Sequence, residues 1–419
     1  MPEQGRLRRQ RWTIFCVLAL IYILVYFYRV SLAVVAGDIS RELHLTPQQL
    51  GTLSGILFYV YAAAQIPLGP MIDRLGGRLV ISGCGVLTTI GGILFSQAQN
   101  LATAMTARAL IGIGTAAVLM GAFTIFSHWY TRQEFGRVSG FMVAVGNLGN
   151  LSATAPLAVA VGAFGWRPSF LVIGIIQALV TVLVFAIVSD RPPVSEHGDD
   201  GIRRDAPQSG MLAAWGTIFG NRDFLLLAAI AFAWYGNYLA LQGLWGGPYL
   251  MEVLHLTREG AGRILMCTSL GFISGSMVTD TIARRLFHSY KTTLLVGQSA
   301  MLLFMSAFLG WADHLPPALL AALFFVIGLA VASGVMIYPI IRSMFPVEIV
   351  GTALTSLNFF VLLGAAVTQQ IMGVILGVVG GKGLSAAPQA YHTAFLLPVV
   401  CLGTAIVLFC FARDYSDSE

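Results

Sequence analysis

The stretch "LHLTPQQLG", residues 43–51, returns as "LHLTREGAG" at residues 254–262. Each copy stands directly before an apolar run long enough to cross a bilayer, and its threonine, Thr46 or Thr257, falls where a helix N-cap belongs. The loops after those two runs keep the same register. "GPMIDRLGGR" at 69–78 has a degenerate partner in "GSMVTDTIARR" at 275–285, so Gly69, Asp73 and Arg78 correspond to Gly275, Asp280 and Arg284 or Arg285. Matches at both ends of one span mark a duplicated unit.

Working outward, the composition is that of a membrane protein. Of 419 residues 57% are hydrophobic and 10% charged, against about 25% charged in soluble domains. A helix crosses the hydrocarbon with about 20 apolar residues. Such windows occur at 12–36, 47–70, 79–97, 101–127, 137–162, 168–189, 224–250, 260–283, 292–311, 316–341, 350–378 and 391–412. The reading is an all-α membrane protein of twelve transmembrane helices in two six-helix, pseudo-symmetric repeats. The first span is longer than a signal-peptide core and is expected to stay uncleaved. The one long polar stretch, "SDRPPVSEHGDDGIRRDAPQSG" at 189–210, divides an N-terminal bundle (1–190) from a C-terminal bundle (224–419) through a linker over 191–223. Duplicated six-helix units are the design of many secondary transporters, with the substrate near the midplane between repeats.

Charge sets orientation. With both termini in the cytoplasm, 17 Lys and Arg fall inside and 5 outside, Arg29 and Arg108 lying within spans, as the positive-inside rule requires. The five cysteines fall in spans at separations that suggest neither disulfides nor a zinc site. No Walker loop, HExxH or catalytic constellation lies in the spans, so no enzyme, metal or cofactor is expected.

"YILVYFYRVSLAVVAG", residues 22–37, is a greasy helix with a permanent charge inside it. A guanidinium at mid-span costs about 2.5–3.5 kcal/mol on insertion scales. Tyr22, Tyr26 and Arg29 follow i, i+4, i+7 spacing and share a face. No Asp or Glu falls near mid-membrane in any predicted span; Asp38 and Glu42 lie at the outer end. An anionic substrate is the expected counter-charge, with Arg108 at similar depth assisting, unless Arg29 snorkels or bonds backbone carbonyls, or Arg108 pairs with Asp38. In span seven Tyr235, Tyr238, Gln242 and Trp245 form a polar-aromatic stripe with Asn237 beside it, a pattern that serves interhelical packing as readily as binding. Tyr61, Gln65, Asn147, Asn150, Tyr338 and Asn358 are further inward-facing candidates.

The chain resembles the major facilitator superfamily over nearly its whole length. The resemblance is carried by Gly69-Pro70-Met71-Ile72-Asp73-Arg74-Leu75-Gly76-Gly77-Arg78, which matches the family's loop between helices two and three, and by Arg108-x-x-x-Gly112-x-Gly114 in helix four. It implies alternating access and a cytoplasmic gate latched by Gly69, Asp73, Arg74, Gly77 and Arg78, with Asp280 as the repeat's counterpart. Within the superfamily, "YFYRVSLAVVA" resembles helix one of the organophosphate and anion:cation symporter branches, where this arginine binds the substrate anion. The symporter branch carries an acid where this chain has Tyr28 and a glutamate where it has Thr115; the organophosphate antiporters carry a helix-seven arginine that is missing here. Span five also lacks the Gly-Pro-x-x-Gly-Gly core of the drug antiporters.

The expectation is therefore a secondary transporter of a small organic anion: a carboxylate, sugar acid or phosphate ester. It would sit as a monomer in the cell's inner membrane, its partners the bilayer and an anionic solute rather than nucleic acid. Two alternatives stand beside it, a carrier of amino acids or other neutral or zwitterionic solutes and a non-transporting sensor with the same fold. Asp38 is the candidate proton site if transport is proton-coupled.

Overall fold

A computed structural model describes residues 2–192, 211–380 and 388–415. It is about 90% helical, and no strand occurs among the described residues. Twelve of its helices are long and apolar enough to cross a membrane. They are α1 (Leu7–Val30), α2 (Pro47–Ile72), α3 (Gly77–Ser96), α4 (Leu101–Trp129), α5 (Arg137–Phe164), α6 (Trp166–Ile187), α7 (Arg222–Val253), α8 (Arg258–Phe287), α9 (Tyr290–Leu309), α10 (Pro317–Met344), α11 (Ile349–Val379) and α12 (Pro388–Cys410). Each overlaps one span expected from the sequence. Most of the polar stretch before α7, with Arg203 and Arg204, lies outside the described residues, as do Lys382 and the side chain of Asp73. A helix over Met211–Gly220 precedes α7, where only linker was expected.

Several expected spans are less regular than their sequences, the first and the seventh among them. The first breaks at Ser31 and resumes over Leu32–Glu42. The seventh opens into wide i→i+5 turns over Ala240–Trp245 and Tyr249–Val253, a device that inserts a residue into a helix and is frequent at functional sites.

The chain folds as two compact units, one of residues 1–35 and 56–202, the other of 36–55 and 203–419. The short segment 36–55, which carries the first "LHLT" copy, thus groups with the C-terminal helices. Asp38 accepts from Arg41 and Arg258 there, and a Cβ on Gly51 would come within 2.8 Å of the Gln369 carbonyl.

Equivalent helices pack in equivalent ways within each unit. α1 lies on α5 as α7 lies on α11, and α3 on α6 as α9 on α12. Lipid tails give two helices no hydrophobic reason to associate, so close backbone approach over small residues does that work. A Cβ on Gly149 of α5 would sit 2.0 Å from the Ile23 carbonyl of α1, and one on Gly364 of α11 would sit 2.1 Å from the Phe232 carbonyl of α7.

The duplicated turn is duplicated in its backbone as well. His44 and His255 both take φ 52°, a left-handed conformation uncommon for a residue with a side chain. Both threonines then cap. Thr46 accepts from Gln49 N–H at 3.2 Å while its own N–H reaches the Gln49 side chain at 2.9 Å; Thr257 accepts from Gly260 N–H at 3.1 Å. The second copy lacks the return bond because glycine has no side chain to give it.

α3 begins on Gly76, at φ 84° and ψ 154°, a region open to glycine alone. Asp190, directly after α6, accepts the Arg78 N–H at 2.9 Å and so places a carboxylate on the positive end of α3. A Cβ on Gly76 would fall 2.6 Å from that carboxylate. Asp414 repeats the device after α12, accepting the hydroxyl of Ser289, the N-cap of α9.

Gly76→Ala should therefore destabilise the first unit by roughly 2 kcal/mol or more, through strain and collision together. Asp190→Ala should cost about 1 kcal/mol. Thermal unfolding in detergent measures both, and the double variant should fall short of the sum because the collision has gone.

Candidate functional site

In the first unit, α1 presents Tyr22, Tyr26 and Arg29 on one face, as the spacing requires. The Arg29 guanidinium lies 4.9 Å from the centroid of the Tyr26 ring and 4.9 Å from that of Tyr61, which comes from α2. Arg29 is 8% exposed. Tyr22 meets Tyr26 edge to face at 5.0 Å and donates its hydroxyl to the Tyr26 hydroxyl at 3.4 Å. α5 forms the back wall, where Gly146 faces the Tyr22 ring and Gly149 faces Tyr26. One turn beyond Tyr61, Gln65 is half-buried. On α5, Asn147 donates to the Val143 carbonyl at 3.1 Å and accepts from Asn150 at 3.2 Å. Of the sequence candidates, Tyr22, Tyr26, Arg29 and Tyr61 thus meet one another at this face of α1.

Arg108 stands differently. It is wholly buried and donates to the backbone carbonyl of Tyr28 at 2.8 Å, the residue directly before Arg29. From α4 it braces the turn that carries Arg29. A buried guanidinium bonded to a carbonyl is a device for holding backbone near a break in a membrane helix, and the break at Ser31 lies three residues on. Gly112, one turn further along α4, allows the close approach, for a Cβ there would come 2.5 Å from the Leu57 carbonyl of α2. The sequence pointed to Arg108 and gave no sign that its acceptor would be main chain.

The second unit uses the α7 stripe chiefly to join its helices. Asn237 donates to the carbonyls of Ala233 and Pro398, at 2.9 and 2.8 Å. Gln242, in the first wide turn, donates to Ser269 of α8 at 3.0 Å. The Trp245 indole donates to the Gln369 carbonyl at 2.9 Å, and Tyr238 stacks on Phe272 at 5.6 Å. Tyr235, in contact with Tyr238, keeps the most exposure of the stripe at 8%. Tyr338 and Asn358 are half-buried on α10 and α11.

Of the expected gate residues, Arg78 is anchored at both ends. Its side chain donates to the Phe185 carbonyl at 2.9 Å and lies 4.8 Å from that phenylalanine's ring. Gly77 faces the Gly121 carbonyl closely. Arg74 is exposed, Gly69 has open space around it, and Asp280 pairs with Arg284 at 3.0 Å. Asp190 was missed from sequence. The signal was there, since an aspartate follows the last helix of each repeat, at 190 and at 414.

A family model described as the Major Facilitator Superfamily matches residues 18–368. The chain belongs to that superfamily. A probable sulfoacetate transporter of Cupriavidus necator is 27% identical over 332 residues, 76% of each chain. A probable galactarate/D-glucarate transporter of Escherichia coli K12 is 21% identical over 388 residues, 85% of this chain and 84% of that one. Among solved structures, a bacterial homolog of the human lysosomal transporter Spinster superposes with a TM-score of 0.78 at 18% identity, over 96% of this chain and 97% of that one. That likeness establishes the fold. The chain is accordingly an integral, multi-pass membrane protein of the superfamily.

Within this superfamily member, the α1–α5 seam sets where Tyr22 and Tyr26 stand. Gly149→Ala should destabilise the first unit by roughly 1–3 kcal/mol, since its Cβ meets backbone. Gly140→Ala in the same helix, where nothing lies within 4 Å, should be neutral or stabilising by about 0.5–1 kcal/mol. Thermal unfolding of the two single variants decides the point.

Proposed function

We propose that the chain carries a small organic anion across the membrane by alternating access, with Arg29 taking the anionic group. The observation that supports it is a guanidinium within a span lying over two tyrosine rings. Aromatic faces attract a cation through the ring quadrupole, which helps to hold the guanidinium within the span. A carboxylate or phosphate matches the fork geometry of a guanidinium with two parallel bonds. Tyr22, Tyr26, Tyr61, Gln65 and Asn147 supply polar and aromatic surroundings suited to a hydroxylated acid. Arg108 acts as a positioning residue for Arg29, and the α7 residues, Tyr338 and Asn358 are the second bundle's candidates. The names of the relatives, transporters of sulfoacetate, galactarate and glucarate, point to the same substrate class.

The rest of the reading is a monomer in the cell's inner membrane with both termini cytoplasmic, without catalytic activity or cofactor. Two six-helix bundles, 1–190 and 224–419, alternate access, and the loop over Gly69–Arg78, with Asp73 in it, latches the cytoplasmic side.

Arg29→Ala should abolish substrate binding and Arg29→Lys should restore little of it, because a point charge lacks the fork. Isothermal titration with carboxylates, sugar acids and phosphate esters measures this; unchanged affinity in Arg29→Ala removes the anion-site reading. Asp73→Asn should slow flux far more than it weakens binding.

Energetics give a further expectation. A negative-inside potential of 100 mV opposes entry of a monovalent anion by about 2.3 kcal/mol, roughly a fifty-fold exclusion. Exchange for an internal anion or facilitated movement ranks ahead of proton symport, because the branch's acids are replaced by Tyr28 and Thr115. In proteoliposomes, internal substrate should accelerate uptake of external label more than an inward proton gradient does. Accumulation driven by protons alone, and lost in Asp38→Asn while exchange persists, would reverse that order.

A further inference from the structure

The first unit holds a positively charged concavity at the opposite end of α1 from Ser31. The start of α1 and the start of α5 enclose a groove of about 1000 Å³ lined by Arg8, Arg11, Trp12, Phe15, Glu134 and Arg137, among others. Three arginines face one carboxylate, an excess of two positive charges. That carboxylate is already engaged. Glu134 closes the capping box of the helix beginning at Arg132, accepting the Thr131 N–H at 3.0 Å, and it pairs with Arg11 at 3.7 Å. The Thr131 N–H holds its carboxyl below the usual range, with Arg11 and Arg137 adding to the effect. Arg11 is further fixed by lying 5.4 Å from the Tyr130 ring, whose hydroxyl donates to the Arg11 carbonyl at 3.1 Å.

The floor of the groove is apolar and aromatic. Phe15 stacks on Phe141 at 5.3 Å and meets Trp12 edge to face at 5.7 Å. Trp12 and Phe141 remain 49% and 52% exposed. Aromatic rings at the end of a span belong to the depth at which headgroups give way to acyl chains. Arginines just beyond them stand at phosphate depth.

We propose that this groove binds the headgroup of an anionic glycerophospholipid from the leaflet at which α1 begins, Arg8 and Arg137 taking the phosphate and Trp12 with Phe141 bedding the acyl chains. Basic pockets between helices select such lipids by charge, and guanidiniums hold phosphate through paired bonds. A free phosphate would have no use for the aromatic floor, whereas a lipid matches both halves of the groove. An occupant there would pin the start of α1, the helix that carries Arg29, to α5.

The test uses the full chain in phosphatidylcholine vesicles doped with phosphatidylglycerol bearing brominated acyl chains, with brominated phosphatidylcholine as the reference. Phosphatidylglycerol should quench tryptophan fluorescence at lower mole fraction than phosphatidylcholine, and the excess should vanish in Trp12→Phe. In the Arg8→Gln/Arg137→Gln variant the preference should drop by roughly thirty-fold, the worth of two surface arginines, while Arg8→Lys/Arg137→Lys should keep most of it. Millimolar inorganic phosphate should leave it intact. Equal quenching by the two lipids, an excess that survives in Trp12→Phe or in the double glutamine variant, or its erasure by inorganic phosphate overturns the proposal. Thermal unfolding in neutral detergent checks that each variant is folded; should the double variant fail, Arg137→Gln alone is measured, with about a five-fold drop expected.

Discussion

A guanidinium within a membrane span costs about 2.5–3.5 kcal/mol on insertion scales, and the two tyrosine rings at Arg29 answer part of that cost. Two tyrosine rings over one cation contribute about 0.5–2 kcal/mol each, the same order as the penalty. The rings must in turn be held. Tyr26 is fixed by Tyr22 and by the α5 backbone at Gly149, and Tyr61 comes from a neighbouring helix. The site therefore depends on helix spacing more than on any single polar contact.

That spacing is set by glycines against carbonyls. In a medium where helices gain nothing by hiding apolar surface, contact distance decides which faces meet. The repeat preserves this logic more strictly than it preserves side chains. Gly149 on Ile23 and Gly364 on Phe232 are the same contact made with different neighbours, and His44 and His255 share a strained dihedral as well as a name. Asp190 and Asp414 hold the start of the third helix of each repeat, one through a main-chain N–H and the other through a serine hydroxyl.

The fold was legible because its signals are local. Hydropathy gave each span, "LHLT" gave the repeat and its caps, and both threonines cap as their position requires. The α1 face was legible too, since helical spacing alone puts Tyr22, Tyr26 and Arg29 together. What could not be read were contacts whose second partner is main chain or distant in sequence. Tyr61 was one inward-facing tyrosine among several until α2 brought its ring to Arg29. For Arg108 the sequence shows a charge and never shows that it meets the Tyr28 carbonyl. The α7 stripe had the periodicity of a binding surface, yet Asn237, Gln242 and Trp245 spend donors on Pro398, Ser269 and Gln369. The break at Ser31 carries no proline to announce it, whereas in α7 Pro248 stands directly before the second wide turn.

The brace between Arg108 and α1 bears on how transport is driven. In the symporter branch that helix one resembles, an acid stands directly before the substrate arginine, and a carboxylate beside a guanidinium is an element that protonation can release. Here the position is Tyr28, wholly buried, and Arg108 bonds to its carbonyl instead. A backbone carbonyl has no proton to gain near neutrality and a guanidinium has none to lose. The contact that fixes the turn of Arg29 is thus the same at any physiological pH. A brace that does not titrate gives a proton nothing to release at that point of α1.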